Sequence, residues 1–151
     1  MQIRIHPRDK LDVGYRLSRS GLAVAYGYKN ITYQGPIVVD VTVAHDSSKV
    51  NVTYSNVVSR HIELRNPNGF EVCCAGQQVC NTTDSAWVAT LASRIEGVPL
   101  TISLAVPNSC ASKAIDGLRY LWKETPCLFK EAAVYSGEDS DLPAPPYIHR
   151  F

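Results

Sequence analysis

In PIVVDVTVAHD, residues 36–46, apolar and polar side chains alternate from Val39 to Val43, and KVNVTYSN, residues 49–56, repeats the alternation after a short polar turn. Successive side chains of a strand point to opposite faces, so each stretch reads as a strand with one face buried. Together they predict a β-hairpin. SRHIELRN (59–66) and FEVCCA (70–75), joined by Pro-Asn-Gly at 67–69, predict a second one. SAWVATLA (85–92), PLTISLAV (99–106), GLRYLW (117–122) and EAAVYSG (131–137) supply further short strands at the spacing of an all-β sandwich. DLPAPPY (141–147) is too rich in proline for a central strand and is expected to lie extended along an edge or surface.

The pattern before these strands is helical. Val13, Leu17, Val24 and Tyr28 fall near one face at helical spacing, with Gly21 between them, which predicts one helix over 7–27. Pro7 suits the first helical position, Asp9 complements the dipole in the first turn, and Gly27 is a stop signal. The fold class expected is therefore mainly β: a β-sandwich or jelly-roll-like domain preceded by one α-helix. A single helix ahead of so many strands looks like a piece of a preceding layer, so its face around Val13, Leu17 and Val24 is expected to pack in part on the β-domain and to stay exposed over the remainder.

Composition limits the partners. The chain has 151 residues, 45% of them apolar and 19% charged, enough for a sizeable core and unlike a disordered chain. A net charge of +1 gives no electrostatic reason to expect nucleic acid or an anionic membrane. No run approaches the ~20 apolar residues of a membrane span, and MQIRIHPRDK lacks the apolar stretch of a signal peptide. Cys73, Cys74, Cys80, Cys110 and Cys127 all lie in the second half, and Asn30, Asn51 and Asn81 each begin an N-x-[ST] sequon. Clustered cysteines with three sequons favour an oxidising, secretory route; the alternative is buried thiols and chance triplets. Two disulfides are expected among the five cysteines, with the pairing open and one thiol left over.

The chemistry-bearing patterns are few. No G-x-S-x-G elbow, Gly-rich phosphate loop or H-E-x-x-H occurs, and the cysteine spacing does not suit a zinc site, so neither a metal nor a cofactor is expected. His45, His61 and His149 are scattered. His6, immediately before Pro7, sits at a helix start, where the dipole disfavours imidazolium and keeps the ring neutral, as a general base requires. A simple polar helix start explains the same residues. Cys73 and Cys74, adjacent on a strand, point to opposite faces and more naturally take different partners than form a redox pair. Leu118, Tyr120 and Trp122 alternate as an aromatic stripe that reads as core, or else as a sugar-stacking or domain-contact surface.

IHPRDKLDVGYRL (5–17) followed by AYGYKNITYQGP (25–36) resembles the C-terminal region of sialate O-acetylesterases, and EVCCAGQQVC (71–80), LRYLWKETPC (118–127) and LPAPPY (142–147) match in the same order. The resemblance spans essentially the whole chain. It implies an esterase that removes O-acetyl groups, chiefly 9-O-acetyl, from sialic acids or sialoglycoconjugates in a lysosomal or secreted setting. It further implies an α/β catalytic domain of the SGNH-hydrolase type with a serine nucleophile. Residues 1–35 would then be the end of that domain and 36–151 the C-terminal β-sandwich domain, with His6 in the place of the catalytic histidine.

Two departures bear on activity. The family's serine segment lies upstream of the histidine, and Ile3 stands where an aspartate is usual, with Arg4 beside it. MQIR is therefore expected to mark a truncated boundary, with the N-terminal catalytic region missing and the isolated chain inactive. The alternative expectation is a non-catalytic β-sandwich module that binds glycans or another partner.

Overall fold

The computed structural model describes residues 10–55, 57, 59–139 and 141–151; His6, Pro7 and Asp9 lie outside these described residues. The chain divides into two units, Met1–Gln34 and Gly35–Phe151. In the first, helix α1 (Leu11–Ser20) runs into a π-helical turn, Gly21–Ala25. The expected single α-helix over 7–27 thus changes pitch at Gly21. Tyr26 N–H donates to the Gly21 carbonyl at 3.1 Å and Tyr28 N–H reaches back to Leu22 at 3.0 Å. Gly27, at φ 69°, takes the left-handed conformation that ends the helical path. No residue of α1 or the π turn is buried, and Val13, Leu17 and Val24 are 52%, 66% and 68% exposed.

The second unit is built from strands. β1 (Val38–Val43), β2 (Lys49–Tyr54), β7 (Thr101–Ala105) and β6 (Ala92–Arg94) form one sheet in that order. β10 (Tyr147–Arg150), β8 (Gly117–Tyr120), β4 (Phe70–Cys73) and β5 (Trp87–Thr90) form another, while β3 (Ile62–Leu64) pairs with β9 (Val134–Ser136). Every pairing is antiparallel. Val50, Val52, Ile102 and Leu104 of the first sheet share one buried core with Phe70, Val72, Leu118 and Tyr120 of the second. Ile62 and Val134 add the two-stranded ribbon to that core. The fold is therefore mainly β, a sandwich whose two inner faces interdigitate.

The alternation in 36–56 gives what the period-two pattern demands. β1 and β2 pair as a hairpin, Val41 opposite Val52 and Val43 opposite Val50. Asp46 holds its turn by accepting from the Ser48 N–H at 3.0 Å. The second expected hairpin does not form. β3 pairs with β9 and β4 with β5 and β8, so the 67–69 turn carries the chain from one sheet to another. Pro67 and Gly69 give their carbonyls to Ala92 and Leu121 rather than to each other's strands. The proline-rich segment lies along a strand edge, as expected. Pro143 bridges to Tyr135 of β9, the Leu142 carbonyl accepts from the Ser136 N–H and the Ala144 N–H donates to the Val134 carbonyl. Leu142 and Ala144 are buried there.

Candidate functional site

The sequence-derived site residues fall into separate places. His6 lies outside the described residues. Asn30 is exposed at a left-handed turn (φ 65°) and Asn81 is exposed on the short helix α2 (Gln77–Thr82), so both side chains face solvent. Asn51 instead sits in β2, paired between Thr42 of β1 and Ser103 of β7, with its Oδ1 buried. A glycan there would have to rise from the middle of a sheet. Cys73 is bonded to Cys80 and Cys74 to Cys110, so the adjacent cysteines take different partners. Cys127 is a free, half-buried thiol, and burial followed by the Glu131 carboxylate pushes its pKa up.

Around the first bridge, β8 and β5 build a charged cluster that the sequence did not mark. Arg119 is buried, its Nε 2.8 Å from Glu71 and its Nη1 2.5 Å from Asp84, with the guanidinium 4.7 Å from the Trp87 ring centre. Arg150 lies 5.0 Å from the same ring, and the Trp87 indole N–H donates to the Cys80 carbonyl at 3.0 Å. Gly117 has no side chain because the indole is there: a Cβ would stand 2.8 Å from Trp87. Burial lowers the Arg119 pKa, but its bonds to Glu71 and Asp84 more than compensate and raise it overall. The group is a fixed cation that never titrates, so this cluster is architecture.

A second cluster has the residue types of an esterase site in the wrong order. Ser59, His61 and Glu138 meet beside the β3–β9 ribbon. Ser59 Oγ bonds to the Glu138 carboxylate and to the His61 carbonyl, and accepts from the Gly137 N–H at 3.2 Å. His61 Nδ1 lies 3.4 Å from the other Glu138 oxygen, which also accepts from the Arg60 N–H at 2.9 Å. A serine nucleophile needs an imidazole nitrogen on its hydroxyl and the carboxylate behind the imidazole. Here the carboxylate lies between serine and histidine, so the hydroxyl meets the carboxylate and not the imidazole. The arrangement fastens two loops together. The Ser59 bond, ahead of the partial penalty of burial, holds the Glu138 pKa below the usual range.

The aromatic stripe of 118–122 is split. Leu118 and Tyr120 are fully buried, and the Tyr120 ring packs 4.5 Å from Phe70 while its hydroxyl accepts from the Val134 N–H at 3.0 Å. Leu121 then takes φ 48° and turns inward, which leaves Trp122 49% exposed. The core reading holds for the first two members only. Shallow clefts flank Trp122, one reaching Glu124 and Pro146, the other Glu71, Ala89 and Pro126.

Comparison with known proteins adds three findings. Residues 39–151 match the family model described as the sialate O-acetylesterase C-terminal domain. The chain is 34% identical over 144 residues to a sialate O-acetylesterase of Mus musculus and 32% identical over 144 residues to that of Homo sapiens, in each case over 95% of its own length. It spans about a quarter of the length of these curated relatives, 24% and 25%. Its fold is also similar to that of a carbohydrate acetylesterase from Xanthomonas citri, with a TM-score of 0.69 and 24% identity over 97% of this chain and 29% of that one.

Proposed function

Because the chain belongs to the family of sialate O-acetylesterase C-terminal domains, we propose that it is the C-terminal part of an enzyme that hydrolyses O-acetyl esters, chiefly 9-O-acetyl, on sialic acids. The observation that carries this reading is identity to such enzymes over 95% of the chain, including the helix that precedes the sandwich. In this reading residues 1–35 end an α/β domain of the SGNH-hydrolase type, and 36–151 are the accompanying β-sandwich. The exposed apolar face of α1 supports it, since a helix with no buried residue lacks the layer against which an amphipathic helix ordinarily packs. The two disulfides and the exposed sequons at Asn30 and Asn81 support a lysosomal or secreted setting.

The mechanism divides between this chain and the catalytic region it joins. His6 takes the proton of a serine hydroxyl as the oxygen attacks the acetyl carbonyl. As the acyl C–O bond breaks, it returns that proton to the departing sugar oxygen, which leaves as a hydroxyl, and an acetyl-enzyme remains. Water, deprotonated by the same imidazole, releases acetate and restores the serine. The serine and the oxyanion donors belong to the catalytic region, so the 151 residues alone are inactive. Acetate release from a 9-O-acetylated sialoside tests this, with the chain assayed alone and then fused behind the catalytic region of a relative. The chain alone should match buffer. The fusion should turn over and lose roughly a thousandfold or more in kcat with His6→Ala. Turnover by the chain alone that His6→Ala removes overturns the inactivity; a fusion indifferent to His6→Ala overturns the role of His6.

A further inference from the structure

We propose that Trp122, with the clefts on either side of it, is a stacking platform for a neutral pyranose ring of a glycan. The backbone makes the platform. Strand alternation through Leu118 and Tyr120 would put Trp122 on the core side, yet Leu121 breaks the alternation with a left-handed φ of 48°. That conformation is unfavourable for a bulky aliphatic residue and persists only where its surroundings impose it. Leu121 N–H donates to the Gly69 carbonyl at 2.9 Å, and its side chain, 8% exposed, fits against Gly69, where a Cβ would come within 2.8 Å of Leu121 Cδ2. The result is a large aromatic ring turned from the interior to the surface.

The surroundings of that ring match a sugar. An indole face accepts the apolar C–H side of a pyranose, while the hydroxyls at the ring's edge need both donors and acceptors. Lys123 Nζ, 3.2 Å from Glu71 Oε1, sets an ammonium and a carboxylate side by side at one cleft. Glu71 is itself fixed by Arg119 Nε at 2.8 Å, so this pair is held before any ligand arrives. Glu124 lines the other cleft. Lys123 and Arg119 are both engaged by Glu71, and Arg119 also by Asp84. Glu124 adds a further carboxylate, so the clefts carry no excess of positive charge for a carboxylated sugar and favour a neutral ring. This inference rests on the reading above only in that the protein meets glycans; it uses no step of the hydrolysis.

The test titrates the whole 151-residue chain with N-acetyllactosamine and with its sialylated form, neither carrying an O-acetyl ester. The chain has two tryptophans, and Trp87 is 8% exposed with its N–H bonded, so a change in emission on adding sugar reports Trp122. A saturable shift at roughly millimolar sugar is expected, no tighter for the sialylated form. It should weaken about tenfold or more in Trp122→Ala and stay within a few-fold in Trp122→Tyr, with unchanged urea midpoints. No saturable response, an unaffected Trp122→Ala, or clear preference for the sialylated form overturns it. So does acrylamide protection of Trp122 that appears only on fusion to the catalytic region, which makes the ring a domain contact. Because the probes lack an ester, failure here leaves the esterase reading standing, and an inactive fusion leaves the platform standing.

Discussion

Glu138 does more than its exposure suggests. Its carboxylate gathers Ser59 Oγ, the Arg60 N–H and His61 Nδ1, although 42% of the side chain remains open to solvent. Its pKa is lowered, first by the Ser59 bond, so the folded state binds its proton less readily than the unfolded chain. The sign follows: the stabilisation is complete above the ordinary glutamate value of about 4.3 and disappears as pH falls through the lowered one. Glu138→Gln should therefore flatten part of the acid loss of stability, by less than about 1 kcal/mol given the exposure. Urea midpoints measured from about pH 6 down to about pH 3 read this; parallel curves for the two proteins would remove the role given to Glu138. None of this was legible in the sequence, because 77 residues separate His61 from Glu138 and no periodicity spans such a gap. Trp122 was legible as an aromatic worth weighing, but its exposure hung on one dihedral at Leu121. A left-handed leucine has no sequence signature.

At the scale of elements, strands were easier to read than their partners. Alternation in 36–46 and 49–56 identifies β1 and β2, and the short turn at Asp46–Ser48 leaves them no choice but each other. A turn signal at 67–69 looked equivalent, yet β3 and β4 part company there. Burying Ile62 and packing the half-buried Leu64 beside β9, with the Arg65 guanidinium 3.5 Å from the Tyr135 ring centre, takes the place of local pairing. Pairing across sheets is decided by which faces fill the core, and that is a property of distant residues. The bridge between Cys74 and Cys110 ties two such distant segments, following β4 and preceding β8, at a sequence separation of 36. Constraining that much unfolded chain is worth about 3–4 kcal/mol. Cys74→Ala with Cys110→Ala should lower the unfolding free energy by that amount in non-reducing urea titrations. A loss under about 1 kcal/mol would mean the neighbouring strands already hold the segments together.

For the molecule as a whole, the two units differ in kind. Gly35–Phe151 has a closed core shared by its sheets, whereas α1 and its π turn bury nothing. A short helix on its own is marginal in water, and most helical stability in proteins comes from packing an amphipathic face. Leu11, Val13, Leu17 and Val24 nonetheless project into solvent, each more than half exposed. That helical pattern is visible in the sequence at 13, 17 and 24; the lopsided element order predicts a face partly exposed and partly packed on the β-domain, whereas no residue of α1 or its turn is buried. A hydrophobic dye should bind the chain more strongly than it binds a compact protein of the same size. Val13→Glu with Leu17→Glu should remove more than about half of the bound-dye signal while leaving the urea midpoint of the sandwich unchanged, since neither residue belongs to its core. Fusion to a catalytic region should quench the dye signal in the parent and make the same two substitutions destabilising. If dye binding survives the charges, the apolar surface lies elsewhere, and the helix does not carry the surface proposed to meet a catalytic region.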